Sequence, residues 1–182
     1  MYFPIYTIPN FYSDPDKIIN LANTFVYDQE ATDGVGLRTK SLHNFNRDFF
    51  QYSNDKLLRF LYGPEHRCSY VAENIFCKIK DKQIKNKKGT IHYDGDTLLT
   101  VIIYLTPNLK NCGTNVYKRT PDYELIASSN GAFNTAFCFD GCFPHQALYD
   151  LKEGQERLTQ ALFFTKLDAP FFPMPELNRA NI

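Results

Sequence analysis

Tryptophan is absent from these 182 residues, and the aromatic complement, 15% of the chain, is entirely phenylalanine and tyrosine. Those two residue types favour a strand-rich interior. Net charge is lacking as well. The 20 acidic and 20 basic side chains balance, so no global field draws the chain to nucleic acid or to an anionic membrane surface. No apolar run approaches the roughly 18 residues of a spanning helix. The N-terminal segment is apolar but has no basic flank and is interrupted by Pro4 and Pro9, so it does not read as a leader. The five cysteines include no Cys-x-x-Cys pair; they read as reduced thiols of a cytoplasmic protein, not as a disulfide framework. The nearest two, Cys138 and Cys142, read as core or loop thiols. Internal repeats are missing too.

What is present divides into a helical lead-in, a strand-rich body and a proline-rich tail. Ser13 and Asp14 can cap a helix with Pro15 in its first turn, and Ile18, Ile19, Ala22 and Phe25 supply an apolar stripe at helical spacing. Gly34 to Lys40 reads as a turn-rich connection. A second helix starting at Asn54 carries Leu57, Leu58 and Leu61 until Gly63-Pro64 stops it. From Tyr70 the pattern becomes strands, expected at 70–80, 89–94, 98–105, 114–118, 122–127, 134–139, 145–149 and 157–166. Short strands in that number after two helices predict a mainly β domain with N-terminal helices, of the double-stranded β-helix or jelly-roll class. One domain spanning 1–182 is expected, with lead-in 1–66, β-helix core 67–167 and extended tail 168–182. The segment Lys78 to Lys88 holds six lysines against one aspartate. It could grip phosphates, but its composition is that of a solvated hairpin tip.

The chemistry is concentrated in few residues. His92-Tyr93-Asp94 runs into the apolar stretch Leu98 to Leu105. In extended chain, residues i and i+2 point the same way, so the His92 imidazole and Asp94 carboxylate can converge on one ion. His145 follows the apolar strand at 135–139 and can complete a two-histidine, one-carboxylate set. Such a facial triad suits non-haem Fe(II), because it leaves positions open for a co-substrate and O2. The other two histidines, His43 and His66, fall in the lead-in. In the last strand Arg157, Thr159, Ala161 and Phe163 share one face by period two. An arginine there can make a bidentate pair with a carboxylate while the Thr159 hydroxyl donates once more. That pair is a candidate anchor for the distal carboxylate of 2-oxoglutarate.

In this order the residues resemble the Fe(II)/2-oxoglutarate-dependent dioxygenases, in particular their prolyl-4-hydroxylase-like branch. His92-x-Asp94 precedes Val101-Ile102-Ile103-Tyr104-Leu105-Thr106-Pro107-Asn108, similar to that family's tyrosine-leucine strand and polar turn. Cys112-Gly113-Thr114-Asn115-Val116-Tyr117 resembles its Gly-Gly-x-Thr-type strand, with Cys112 in place of the first glycine, and His145 and Arg157-x-Thr159 follow. Pro15-Asp16, Gly36-Leu37-Arg38-Thr39, Asn134 and Arg157-Leu158-Thr159-Gln160 are similar to a poorly characterised set of phage and bacterial members. The family usually holds 2-oxoglutarate with a tyrosine placed before His-x-Asp, where this chain has its lysine-rich loop; Tyr104 is the candidate substitute.

The resemblance implies metal ligation by His92, Asp94 and His145, and 2-oxoglutarate binding by Arg157, Thr159 and Tyr104. It also implies hydroxylation of a C–H bond, with a protein or peptide side chain such as proline as the expected substrate and a small molecule as the other. Asp94 argues against a halogenase, which would have a small residue in its place. The lack of a second arginine shortly after Arg157 argues against a nucleic-acid demethylase. Two other readings belong to different classes: a non-catalytic jelly-roll binding or virion-associated module with incidental histidines, and a zinc hydrolase, for which no base is identifiable. Three segments are candidates for the entrance, at 81–88, 106–112 and 169–175.

Overall fold

The computed structural model describes residues 5–30, 36–83 and 88–169. After strand β1 (Tyr6–Ile8), helix α1 (Pro15–Ala22) is opened by Asp14, whose Oδ1 accepts the Lys17 N–H at 3.1 Å. Pro15 sits in the first turn, where a missing N–H costs nothing. Two-residue strands β2 (Gln29–Glu30) and β3 (Leu37–Arg38) pair with each other, and a 3-10 turn at Leu42–Asn44 precedes helix α2 (Arg47–Tyr62). This helix starts seven residues before the expected Asn54, because Asn46 caps it by accepting the Phe49 N–H. Phe49, Ser53, Leu57 and Leu61 then run along its buried face, and Gly63, at φ +92°, ends it.

The body follows as β4 (Ser69–Lys80), β5 (Leu99–Tyr104), β6 (Thr114–Tyr117), β7 (Leu125–Ser129), β8 (Thr135–Phe139), β9 (His145–Ala147) and β10 (Glu156–Asp168). The antiparallel strands form a larger sheet in the order β1-β8-β5-β10-β4-β3-β2 and a smaller one in the order β7-β6-β9. Period-two alternation divides the larger sheet between two cores. Leu99, Val101, Ile103, Ala136, Leu162 and Phe164 face the helices and pack with Ile18, Phe49 and Leu57. Tyr104, Phe137 and Phe139 face the other way, against Val116 of the smaller sheet. Two facing sheets with helices outside the larger one make the double-stranded β-helix expected from the sequence.

Beneath the helices a polar chain ties the layers together. Tyr12 donates its hydroxyl to Gln160, Gln160 donates to Asn74, and Asn74 donates to Ser53 of α2, at 2.7, 2.9 and 2.7 Å. Asn134, at φ +53°, accepts the Tyr12 N–H and donates to the Tyr12 carbonyl, pinning the N-terminal segment to the sheet. Satisfied at each link, these buried groups fix the registry of helices on strands.

Some expectations fail. The turn-rich connection contains β3, which pairs between β4 and the edge strand β2, with Gly36 at φ +88° where a Cβ would meet Lys78 and Ile79. No strand forms at 89–94; the range holds one isolated bridge, His92 with His145, and another, Lys88 with Leu148, lies just before it. The strand expected at 122–127 lies instead at Leu125–Ser129. Residues 84–87 of the lysine-rich loop and 170–182 of the tail lie outside the described residues. Among the described residues no helix is long and apolar enough to cross a membrane.

Candidate metal and anion site

The bridge between His92 and His145 builds one end of the site. Each backbone N–H donates to the other's carbonyl, at 3.0 and 2.9 Å, and the two imidazoles stand with centroids 4.4 Å apart. Each ring also has Nδ1 3.0 Å from a carbonyl two residues earlier, Thr90 for His92 and Phe143 for His145. These carbonyls favour a proton on each Nδ1, so that in the neutral rings each Nε2 lone pair is left for a ligand.

Asp94 meets them from a turn. Its N–H donates to the Gly141 carbonyl and its own carbonyl accepts the Thr97 N–H, with Gly95 at φ +60° between. The carboxylate lies 3.8 Å from His92 Nε2 and 3.4 Å from His145 Nε2, and donor atoms of the three residues fall within 4.8 Å of one another. With bonds of about 2.1 Å to one metal, ligands at right angles stand about 3 Å apart, so Asp94 needs to close on each imidazole by less than about an ångström and the most separated donors by up to about 2 Å. Burial opposes charge on both Asp94 and His145, but their mutual hydrogen bond and attraction outweigh it. The Asp94 pKa is lowered from 3.8 and that of His145 raised from 6.5. His43 and His66 take no part; His43 packs edge-on against Phe50.

The register of the larger sheet builds the rest. Phe163 lies opposite Thr100 and Glu73, Ala161 opposite Ile102 and Ile75, and Thr159 opposite Tyr104 and Cys77. Arg157, Thr159, Ala161 and Phe163 all line a cavity of about 80 Å³ that also touches His92, Asp94 and His145. At its far end Arg157 is 5% exposed. Its Nε donates to the Cys112 carbonyl at 2.8 Å and Nη2 to the Gly113 carbonyl at 3.4 Å, while the Tyr104 and Tyr149 rings lie 5.5 and 5.9 Å from the guanidinium. Among the described residues no carboxylate pairs with it. A buried guanidinium held only by carbonyls and ring faces is a site for an anion.

Close backbone contact builds this cradle. A Cβ at Gly113 would lie 1.8 Å from the Ser129 carbonyl oxygen, and one at Gly131 2.6 Å from that of Cys112. Glycine at 113 is a steric necessity at the start of β6.

Tyr104 sits otherwise than expected. Its hydroxyl donates to Thr114 Oγ1 at 2.9 Å and its ring underlies Arg157, whereas the tyrosine on the cavity wall is Tyr149. The 106–112 turn also lies at this closed end: Thr106 accepts the Leu158 N–H, and the residues of that turn line neither the cavity nor the groove outside it. That outer groove, about 600 Å³, shares His92, Asp94, Arg38 and Phe163 with the cavity and adds Glu73 and Tyr93.

Sequence reading missed three contributors. Arg38 enters through the two-residue strand β3, opposite Cys77, and lines both spaces. Tyr149 follows a strand that ends at Ala147. Thr100, in an otherwise apolar strand, donates its hydroxyl to Asp94 Oδ2 at 2.6 Å. Only the last left a visible signal, a lone polar residue at an inward position of β5.

No family model matches this sequence, and no curated protein does. Solved structures do resemble it. The epimerase SnoN, in complex with Fe3+, alpha ketoglutarate and nogalamycin RO, matches with a TM-score of 0.60 at 12% identity, over 88% of this chain and 78% of that one. A Trichoplax adhaerens prolyl hydroxylase bound to a hypoxia inducible factor peptide fragment matches with a TM-score of 0.62 at 14% identity, over 88% and 82%. A Pseudomonas putida prolyl-4-hydroxylase gives 0.60 at 13% identity, over 89% and 92%. At such identities the likeness establishes the fold.

Proposed function

We propose that this chain is an Fe(II)- and 2-oxoglutarate-dependent dioxygenase that hydroxylates a C–H bond, working as one domain over 1–182. The observation that carries the reading is the buried Arg157, paired with no carboxylate among the described residues, at the far end of a cavity whose other end holds His92, Asp94 and His145. An incidental pair of histidines on a binding module would not account for a buried cation aimed into the same cavity.

His92, Asp94 and His145 would hold the iron, a donor set of two imidazoles and one carboxylate that leaves positions open on the metal. Arg157 and Thr159 would hold the distal carboxylate of 2-oxoglutarate. Tyr104 contributes from behind, stacking its ring under the guanidinium. When bound, iron and 2-oxoglutarate supply the redox chemistry: with O2, the keto acid is oxidised to succinate and CO2, and the second oxygen atom goes to the substrate. The chain's part is placement and the exclusion of water. Ile79, Ile102, Ala161 and Phe163 line the cavity with apolar surface between the two polar ends.

The substrate would enter through the outer groove, which borders His92 and Asp94. We assign it a protein or peptide side chain, with proline the first candidate. The Trichoplax enzyme is bound to a peptide and SnoN to a small molecule, so the test includes both classes. None of the five cysteines is in a disulfide, which accords with a reducing, cytoplasmic setting.

The test is anaerobic reconstitution with Fe(II), addition of 2-oxoglutarate and air, and measurement of succinate. Peptide and small-metabolite pools are then searched by mass spectrometry for a gain of one oxygen. Iron-independent or absent succinate formation would overturn the proposal.

A further inference from the structure

We infer that Thr100 is a positioning residue for the metal, fixing the Asp94 carboxylate so that it binds through one oxygen only. The inference deepens the reading of His92, Asp94 and His145 as metal ligands and rests on it.

Thr100 is fully buried on β5, in a strand whose other residues, Leu99 and Val101 to Tyr104, are apolar or aromatic. Its side chain faces inward, in register with Phe163 on one neighbour and Phe139 on the other. A hydroxyl there needs a partner, and it takes Asp94 Oδ2 at 2.6 Å, short enough to be a charge-assisted bond. Asp94 itself lies outside any strand, in a turn through Gly95. Its backbone is thus held by a turn, and its carboxylate plane is set by Thr100 and by the two imidazoles.

One bond to a hydroxyl leaves a carboxylate with a free oxygen and a fixed rotation. Oδ1 lies 3.8 Å from His92 Nε2, and Oδ2, the oxygen that Thr100 holds, lies 3.4 Å from His145 Nε2; with Oδ2 engaged by Thr100, Oδ1 is the oxygen left for the ion. Free to rotate, the carboxylate could chelate with both oxygens and occupy a position that the co-substrate needs. Partners of this outer kind typically change metal affinity by about 10- to 100-fold when removed.

The experiment is titration of metal-free protein with Mn(II) by calorimetry at fixed pH, comparing wild type with Thr100→Val, Thr100→Ala and Thr100→Ser. Thermal unfolding of each metal-free protein is recorded alongside. Thr100→Val and Thr100→Ala are expected to weaken Mn(II) binding by about tenfold or more, with Thr100→Ser close to wild type. Should Thr100→Val fail to fold, Thr100→Ala gives the same comparison without the added methyl. Mn(II) affinity in a folded Val or Ala variant equal to that of wild type would overturn the inference while leaving the ligand set intact, as would a Ser variant as weak as Ala. A purely structural role would lower the unfolding temperature and leave affinity unmoved. Wild type that binds no Mn(II) would instead overturn the metal reading, and the role of Thr100 with it.

Discussion

Arg157→Gln separates the two ends of the cavity. The guanidinium is buried, held by the Cys112 and Gly113 carbonyls and by the Tyr104 ring, and no described carboxylate neutralises it. A co-substrate carboxylate bound there gains charge-assisted hydrogen bonds. One such bond contributes about 1.5–3 kcal/mol, and about 1.4 kcal/mol is a factor of ten, so the 2-oxoglutarate requirement should rise about 10- to 150-fold. The ligand-free protein should lose little stability, because removing an unpaired buried charge offsets the lost carbonyl bonds. The signature is therefore asymmetric. Saturating 2-oxoglutarate should raise the unfolding temperature of metal-loaded wild type and scarcely move the variant, since ligand stabilisation follows the ratio of concentration to Kd. Mn(II) affinity should persist in both. Arg157→Lys, which keeps the charge but not the fork, should fall between them. Half-saturation of succinate formation at the same 2-oxoglutarate concentration in wild type and Arg157→Gln would refute the reasoning.

His145→Ala removes a ligand and should weaken Mn(II) binding by about 100-fold or more, beyond what an outer partner contributes; calorimetry on the folded variant checks it. The metal-free pair of Asp94 and His145 has a definite pH dependence. The raised His145 pKa gives stability that is full below 6.5 and lost as pH rises through the folded value. The lowered Asp94 pKa gives stability present above 3.8 and lost as pH falls through its own. Metal-free protein should gain most from the pair between those values. Mn(II), which needs neutral imidazole, should bind more tightly as pH rises and release protons, measurable by calorimetry in buffers of different ionisation enthalpy. Gly113→Ala places a Cβ against the Ser129 carbonyl. It should cost about 3 kcal/mol in a denaturant titration and raise the 2-oxoglutarate requirement by moving the Arg157 cradle.

Long strands were legible in the sequence because alternation repeats over many residues. In β10 the polar and small positions Arg157, Thr159 and Ala161 alternate with Leu158, Gln160 and Leu162, and the two sets face different cores. Gln160 breaks the apolar pattern because it is the central link of a buried chain from Tyr12 to Ser53. Two-residue strands such as β2 and β3 carry too few positions for any period; β3 is placed by pairing with β4, and β2 by pairing with β3. The start of α2 was missed because Asn46 was not recognised as its cap.

The metal end was legible for a different reason. A histidine and an aspartate two residues apart can converge in extended chain, and here they converge through a turn, a bridge at His92 followed by Gly95. Residues that the structure brings together were thus identified from a local geometry that the chain does not adopt. What brings His145 to them is an isolated bridge between His92 and the first residue of β9, a long-range contact without a periodic signature. Arg38 and Tyr149 are invisible to spacing for the same cause: each reaches the cavity from an edge or an irregular segment whose position is decided by its neighbours. Spacing within a strand therefore identified residues whose strand also forms the cavity wall. The outer groove mixes the two kinds: Glu73, Phe163 and Thr165 come from the long strands β4 and β10, whereas Arg38, Thr90, Tyr93 and Gly95 come from parts of the chain where tertiary contacts set the backbone.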